Sequence, residues 1–91
     1  MKPYLANFRF YEELNDFLAA EHYKQTIEYR FKGQPAIKDP IEVLGVPHSE
    51  VDLIVVNGKS VGFDYKLKNA DRVAVYPVFE SLDISPLQRL R

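Results

Sequence analysis

The chain contains no cysteine. Disulfides, thiol nucleophiles, zinc–thiolate sites and iron–sulfur clusters are therefore excluded together. Tryptophan is absent as well, and glycine occurs only four times. Those glycines are scattered, so there is no Gly-rich loop to cradle a phosphate. No purely apolar run exceeds four residues, as in Leu53-Ile54-Val55-Val56. That is far short of the roughly 20 residues a membrane-spanning helix needs. Lys2 and Pro3 are not followed by an apolar stretch of signal-peptide length. A cytoplasmic location with no membrane partner is the expectation. Neither sign of charge predominates, since twelve basic residues meet thirteen acidic ones for a net charge of −1. Bulk charge thus argues neither for nor against a nucleic-acid partner.

What is present is the composition of an ordinary folded domain, 46% apolar and 27% charged over 91 residues. A chain of this length holds one core and leaves little room for a deep cleft beside it. Its apolar residues follow two periods. From Tyr4 to Tyr11, Ala6, Phe8 and Phe10 fall on one face and Asn7 and Arg9 on the other, which predicts a strand. Lys24 to Phe31 alternates in the same way, with Ile27, Tyr29 and Phe31 opposed to Thr26, Glu28 and Arg30. Between them, Leu14, Phe17 and Leu18 suit one or two helical turns or an anchored loop.

Lys38 to Gly45 reads as a helix, with Asp39 as N-cap, Pro40 in the first helical position and Gly45 just past the end. Val51 to Val56 is a nearly continuous β-branched run, which predicts a strand buried on both faces. Asn57-Gly58 then predicts a two-residue turn into a short return strand, Lys59 to Val61. Arg72 to Phe79 predicts the last strand, with Val73 and Val75 on one face. Pro77 should interrupt its hydrogen bonding or place it next to solvent. Two strands, a helix and three strands, with the first and last able to lie side by side, make an α+β chain of the β-grasp kind. The expected architecture is a mixed sheet of four to five strands with one main helix.

Two resemblances fit this order. Val55-Val56-Asn57-Gly58-Lys59-Ser60-Val61, Leu67, and Asp71-Arg72-Val73-Ala74-Val75-Tyr76-Pro77-Val78 resemble the ThiS/MoaD branch of β-grasp sulfur carriers. Ile41-Glu42-Val43-Leu44-Gly45-Val46-Pro47 resembles the same branch. The carriers end in Gly-Gly one residue after Pro-Val, because a thin tail must enter an activating enzyme. Here Phe79 is the spacer and Glu80-Ser81 replaces the glycines, with ten further residues beyond. Carboxyl activation is therefore not expected, and a degenerate carrier is the remote alternative.

A closer resemblance covers almost the whole chain. Phe8-Arg9-Phe10-Tyr11-Glu12-Glu13-Leu14-Asn15-Asp16-Phe17-Leu18 resembles the ubiquitin-like domain that precedes a Mut-seven-C nuclease domain. So do Val46-Pro47-His48-Ser49-Glu50-Val51-Asp52-Leu53-Ile54 and the terminal run from Val75 through Pro77, Glu80, Ser81 and Asp83 to Leu87. The resemblance implies a ubiquitin-like β-grasp domain over residues 1–79. It also implies a tail, or the start of a linker, over 80–91. The implied partners are a PIN-like nuclease domain in cis or trans and, through it, RNA. The 91 residues themselves contain no nuclease sequence, and the expectation is either a stand-alone relative or an N-terminal domain of a longer protein.

No catalytic set emerges from the residue types. Asp16, Asp39, Asp52, Asp64 and Asp71 are dispersed among turns and element ends rather than gathered for a metal. His48, Ser49 and Asp52 are close in sequence, which is not triad geometry. A non-enzymatic domain with no metal and no cofactor is the expectation. The candidate nucleic-acid contacts are Arg9, Tyr11, Lys24, Arg30 and Lys32, on or beside the polar faces of the first two strands. Lys66, Lys68 and Arg72 form a second basic cluster. The competing reading is a solvated face with ion pairs such as Glu28 with Arg9 or Arg30. Phe79, Leu82, Ile84 and Leu87 are candidate partner contacts, so a protein-interaction adaptor unrelated to RNA is the alternative function.

Overall fold

The structure is a computed structural model and describes residues 3–78. Five strands form one mixed sheet: β1 (Tyr4–Phe10), β2 (Ile27–Phe31), β3 (Val51–Val56), β4 (Lys59–Val61) and β5 (Arg72–Pro77). Their spatial order is β2-β1-β5-β3-β4, with β1 and β5 parallel and every other pair antiparallel. A short helix, α1 (Lys38–Val43), belongs to the long connection from β2 to β3. This is the β-grasp arrangement expected from the alternating segments.

One face of the sheet is dry. Ala6, Phe8 and Phe10 of β1 meet Ile27 and Phe31 of β2, Val73 and Val75 of β5, and Ile54 and Val56 of β3. Ile37, Ile41, Val46, Leu14 and Leu67 cover them and are themselves fully buried. Burying a side chain of this size contributes about 1.5–3 kcal/mol. The core therefore depends on single anchors from otherwise polar loops, Leu14 and Leu67 among them.

Several boundaries differ from the sequence reading, each for a local reason. Asp39 does not cap α1: the helix begins at Lys38, and no side chain caps it. The Ile37 amide donates to the Tyr65 carbonyl at 2.7 Å and the Lys38 amide to the Phe63 carbonyl at 3.3 Å. Those carbonyls do the work that a capping side chain would do. At the other end, the Val46 amide donates to the Ile41 carbonyl and the Gly45 amide to that of Glu42, a Schellman closure. Gly45 has φ +115°, and a Cβ there would lie 2.6 Å from the Phe17 carbonyl oxygen. Only glycine suits this position.

β2 begins at Ile27 rather than at Lys24. Lys24 has φ +56°, and its amide donates to Asn15 Oδ1 at 2.7 Å. The Asn15 side chain also donates to the carbonyls of Phe10 and Glu12. This one buried amide therefore ties the end of β1 to the turn before β2. The expected helical turns are a 3-10 segment, Glu12–Phe17.

β3 is not buried on both faces. Leu53 is 42% exposed, Asp52 is exposed and Val55 is half-buried. The register with β5 shifts between Val51 and Leu53, so Asp52 is an extra residue and Val51 keeps its inward direction alongside Ile54. β5 ends at Pro77 rather than Phe79: Val78 lies beyond the strand with its amide donating to the Glu50 carbonyl, and Phe79 lies outside the described residues. The ladder with β1 closes with the Tyr11 amide donating to Val75. The next donor toward β1 would be residue 77, and proline has no N–H. Pro77 is fully buried, so it stops the ladder rather than bordering solvent.

The Asn57-Gly58 turn has φ +51° and +88°, as a two-residue hairpin requires. Buried Asp71 holds it in place. Its carboxylate accepts from Asn57 Nδ2 at 2.9 Å, from the Tyr65 hydroxyl at 2.8 Å and from the Lys68 amide at 2.8 Å. Burial, then the hydrogen bond and the charge of Asp71, push the Tyr65 phenol up to about 12.

Candidate nucleic-acid interface

Among the described residues no helix lies on the other face of the sheet, and side-chain parity decides what it presents. Arg9, Ala74, Val55 and Ser60 form one cross-strand row from β1 to β4. Ala74 has only a methyl group, so the row is shallow beside Arg9. Tyr11, immediately after β1, stacks on Tyr76 of β5 with ring centroids 4.7 Å apart and planes 6° from parallel. The Arg9 guanidinium carbon lies 5.6 Å from the centre of the Tyr11 ring. Arg9 is half-buried, and its Nε is enclosed with no hydrogen-bond partner among the described residues. Leu53 lies opposite Tyr76 and extends the patch with an exposed apolar side chain.

The result is a cation on a pair of stacked rings, held by the two central, parallel strands. Stacked rings beside a guanidinium are the chemistry that recognises planar groups. Nucleobases stack on aromatic rings whatever their sequence, and a guanidinium adds both stacking and charge.

The five residues singled out in the sequence do not form one patch. Arg9 and Tyr11 are in contact. Lys24 is at the same end of the sheet, tied there through Asn15, with its ammonium 5.5 Å from the centre of the Tyr23 ring. Arg30 lies opposite Leu5, four residues along β1 from Arg9, a separation of about 13 Å. Lys32 is beyond the end of β2 and exposed. Glu28, opposite Asn7, sits between the two groups on the same face. The basic residues therefore occupy two ends of the face with an acid between them. The second basic cluster is divided as well. Arg72 is on the open face opposite Asn7, while Lys68 belongs to the Asp71 loop and lies over the Tyr65 ring.

The cross-strand ion pairs weighed from the sequence are not formed. Among the described residues the one contact between a basic and an acidic side chain at this range is that of His48 with Glu42. Hydrogen bonds from the His48 side chain and backbone hold the Glu42 carboxyl below its ordinary range. His48 is thus an exposed loop residue against Phe63, with Ser49 and Asp52 taking no part. Among the described residues, no three His, Asp or Glu side chains gather as a metal site would require, and no pocket is present. Phe79, Leu82, Ile84 and Leu87 lie outside the described residues.

Tyr76 and Leu53 were missed in the sequence. The parity that assigns Val73 and Val75 to the core assigns Tyr76 to the open face, so Tyr76 was recoverable. Leu53 was hidden by the bulge at Asp52, which no residue type announces.

No curated protein and no solved structure matches the chain. A family model does, over residues 4–83, and its description is Mut7-C ubiquitin. That span includes every strand, both loop anchors and the stacked tyrosines, and so the chain belongs to the Mut7-C ubiquitin family.

Proposed function

We propose that this domain is a non-catalytic accessory module of a Mut-seven-C-type RNase system, and that it contacts single-stranded RNA through the open face of its sheet. The observation that carries the reading is the Arg9–Tyr11–Tyr76 stack. Neutral bulk charge does not oppose it, because a stacking platform needs only a few cations at the right place. Contact with RNA here would position a nuclease domain, in cis or in trans, near its substrate.

The test is a titration of the isotope-labelled protein with a short single-stranded RNA. Amide shifts centred on Arg9, Tyr11 and Tyr76 that weaken as salt rises are expected. Arg9→Ala should weaken binding about fivefold or more and lower the salt slope by about one. Absence of shifts at physiological salt overturns RNA contact. RNase activity of the purified chain, abolished by a point mutation within it, overturns the non-catalytic assignment.

A second reading rests on Leu53. Its exposure beside Tyr76 gives the same face an apolar element suited to a protein surface. If a nuclease domain supplied in trans shifts Leu53 and Tyr76 while RNA shifts nothing, the domain is an adaptor.

A further inference from the structure

β2 is an outer strand of the sheet, and its outer edge, which no strand of the described residues pairs with, has a definite polarity. In β1, the Leu5, Asn7 and Tyr11 amides donate on the β5 side, to Asn69 Oδ1, Asp71 and Val75. Ala6 and Phe8 therefore turn their backbone groups toward β2, where they pair with Tyr29 and Ile27. It follows that Glu28 and Arg30 turn their N–H and C=O groups outward, away from the sheet.

Of the usual protections this edge carries only charge, on Glu28 and Arg30. β2 has no proline, no glycine and no bulge, and its five residues keep one unbroken register with β1. The opposite edge, β4, is only three residues long and begins with a lysine. The side chains of Glu28 and Arg30 are exposed on the open face, and neither has an ion partner among the described residues. On the core face, Tyr29 is half-buried, with its ring 5.7 Å from that of Phe8 and 6.1 Å from that of Phe31.

We infer that the β2 edge is a self-association surface, and that its occupant is β2 of a second copy of this chain, antiparallel about a two-fold axis at Tyr29. Charge and hydrogen-bond parity select that register. With Tyr29 opposite Tyr29, Glu28 of each copy faces Arg30 of the other as a hydrogen-bonded pair. Two ion pairs then form on the open face. Ile27 faces Phe31 of the second copy on the core face. Centring the axis on Glu28 places two glutamates face to face, and centring it on Arg30 does the same with two arginines. A shift of one residue would put a core side chain on the open face. The outcome is a continuous ten-stranded sheet with both helices on one side. Only five residues pair from each copy, so the association is weak, with a Kd between about 10 μM and about 1 mM. This inference stands apart from the RNA reading and uses none of the stacked residues.

Because the chain has no cysteine, introduced thiols report the register directly. Glu28→Cys and Arg30→Cys are prepared separately, mixed and mildly oxidised. Opposite residues of a hydrogen-bonded pair have Cα atoms about 5.5 Å apart, within disulfide reach. The mixture should give a covalent dimer while the second ion pair is kept. Each variant alone should cross-link poorly, since its own thiols would be about 7–8 Å apart. Sedimentation of the unmodified chain should show a monomer–dimer equilibrium. Glu28→Arg should weaken it about tenfold, and Glu28→Arg with Arg30→Glu should restore it. Both positions are exposed, and unchanged circular dichroism verifies folding. A chain that is monomeric at about 1 mM overturns the inference. So does a dimer indifferent to Glu28→Arg, and so does equal cross-linking of the single variants.

Discussion

The Asp71 loop and the open sheet face are both built from polar and aromatic side chains, and they are organised in opposite ways. In the loop, the interactions close on themselves. Asp71 takes three donors, Asn57 Oδ1 accepts from the Arg72 amide at 2.9 Å, and the Asn57 amide returns a hydrogen bond to the Arg72 carbonyl. On the open face the groups do not close on one another: the enclosed Arg9 Nε has no partner, and the exposed Glu28 and Arg30 have no ion pair among the described residues. A buried carboxylate is tolerable only when its lone pairs are occupied. Arg9, half-buried against a ring, leaves that requirement unmet at its Nε. The first region therefore holds the fold, and the second leaves its polar groups unpaired among the described residues.

The largest effect that would break this contrast is expected at Asp71. Asp71→Ala leaves the Asn57 side-chain Nδ2, the Tyr65 hydroxyl and the Lys68 backbone amide without an acceptor. It should cost about 3–4 kcal/mol of stability, measured by urea denaturation, with little change in RNA affinity of the folded fraction. Tyr76→Ala should behave in the reverse sense. The loss expected is about 1–3 kcal/mol of RNA binding, read from the titration, with a smaller loss of stability. If Tyr76→Ala unfolds the protein and leaves binding untouched, the two regions have been assigned the wrong way round.

The contrast also shows how far residue patterns reach. Strict alternation in Tyr4–Phe10 and Arg72–Pro77 made those strands legible, and Asn57-Gly58 gave the turn between β3 and β4. The same parity placed Arg9 and Tyr11 on the open face. Patterns failed where a distant group intervened. Lys24 looked like part of a strand until the side chain of Asn15 bent the chain there. Asp39 looked like a cap because its rivals, the carbonyls of Phe63 and Tyr65, lie more than twenty residues away. The gathering of basic residues failed for a geometric reason, since parity assigns a face without assigning a position along it. Arg30 shares a face with Arg9 and still lies at the other end.

Smaller effects sharpen the comparison. Tyr65→Phe removes one of the three donors to Asp71 and should cost about 1 kcal/mol. The phenol is pushed up to about 12, above its ordinary value near 10. Its contribution is complete below about pH 10 and is lost as the pH rises through about 12. Ultraviolet phenolate absorbance and denaturation in that window should show a step in the unmodified protein that Tyr65→Phe lacks. The least effect is expected at Glu42, whose carboxyl is exposed and lowered by His48. Stability from this pair is present above the ordinary carboxylate range and falls as the pH drops through the lowered value. Glu42→Gln should lower the neutral plateau slightly and leave the acid end unchanged, so that the acid limb of the denaturation profile flattens.

The parallel pairing of β1 with β5 has a consequence in time. The two strands at the centre of the sheet come from opposite ends of the described chain, so Asn7 meets Arg72 across more than sixty intervening residues. Neither strand can gain its central hydrogen bonds until the other has been synthesised. During translation, β1 and β2 can exist only as an unsupported hairpin, and the sheet closes late, after Pro77 has emerged. Folding of such a non-local topology is expected on the scale of milliseconds to seconds rather than microseconds. The step that sets this rate is the meeting of the first and last strands.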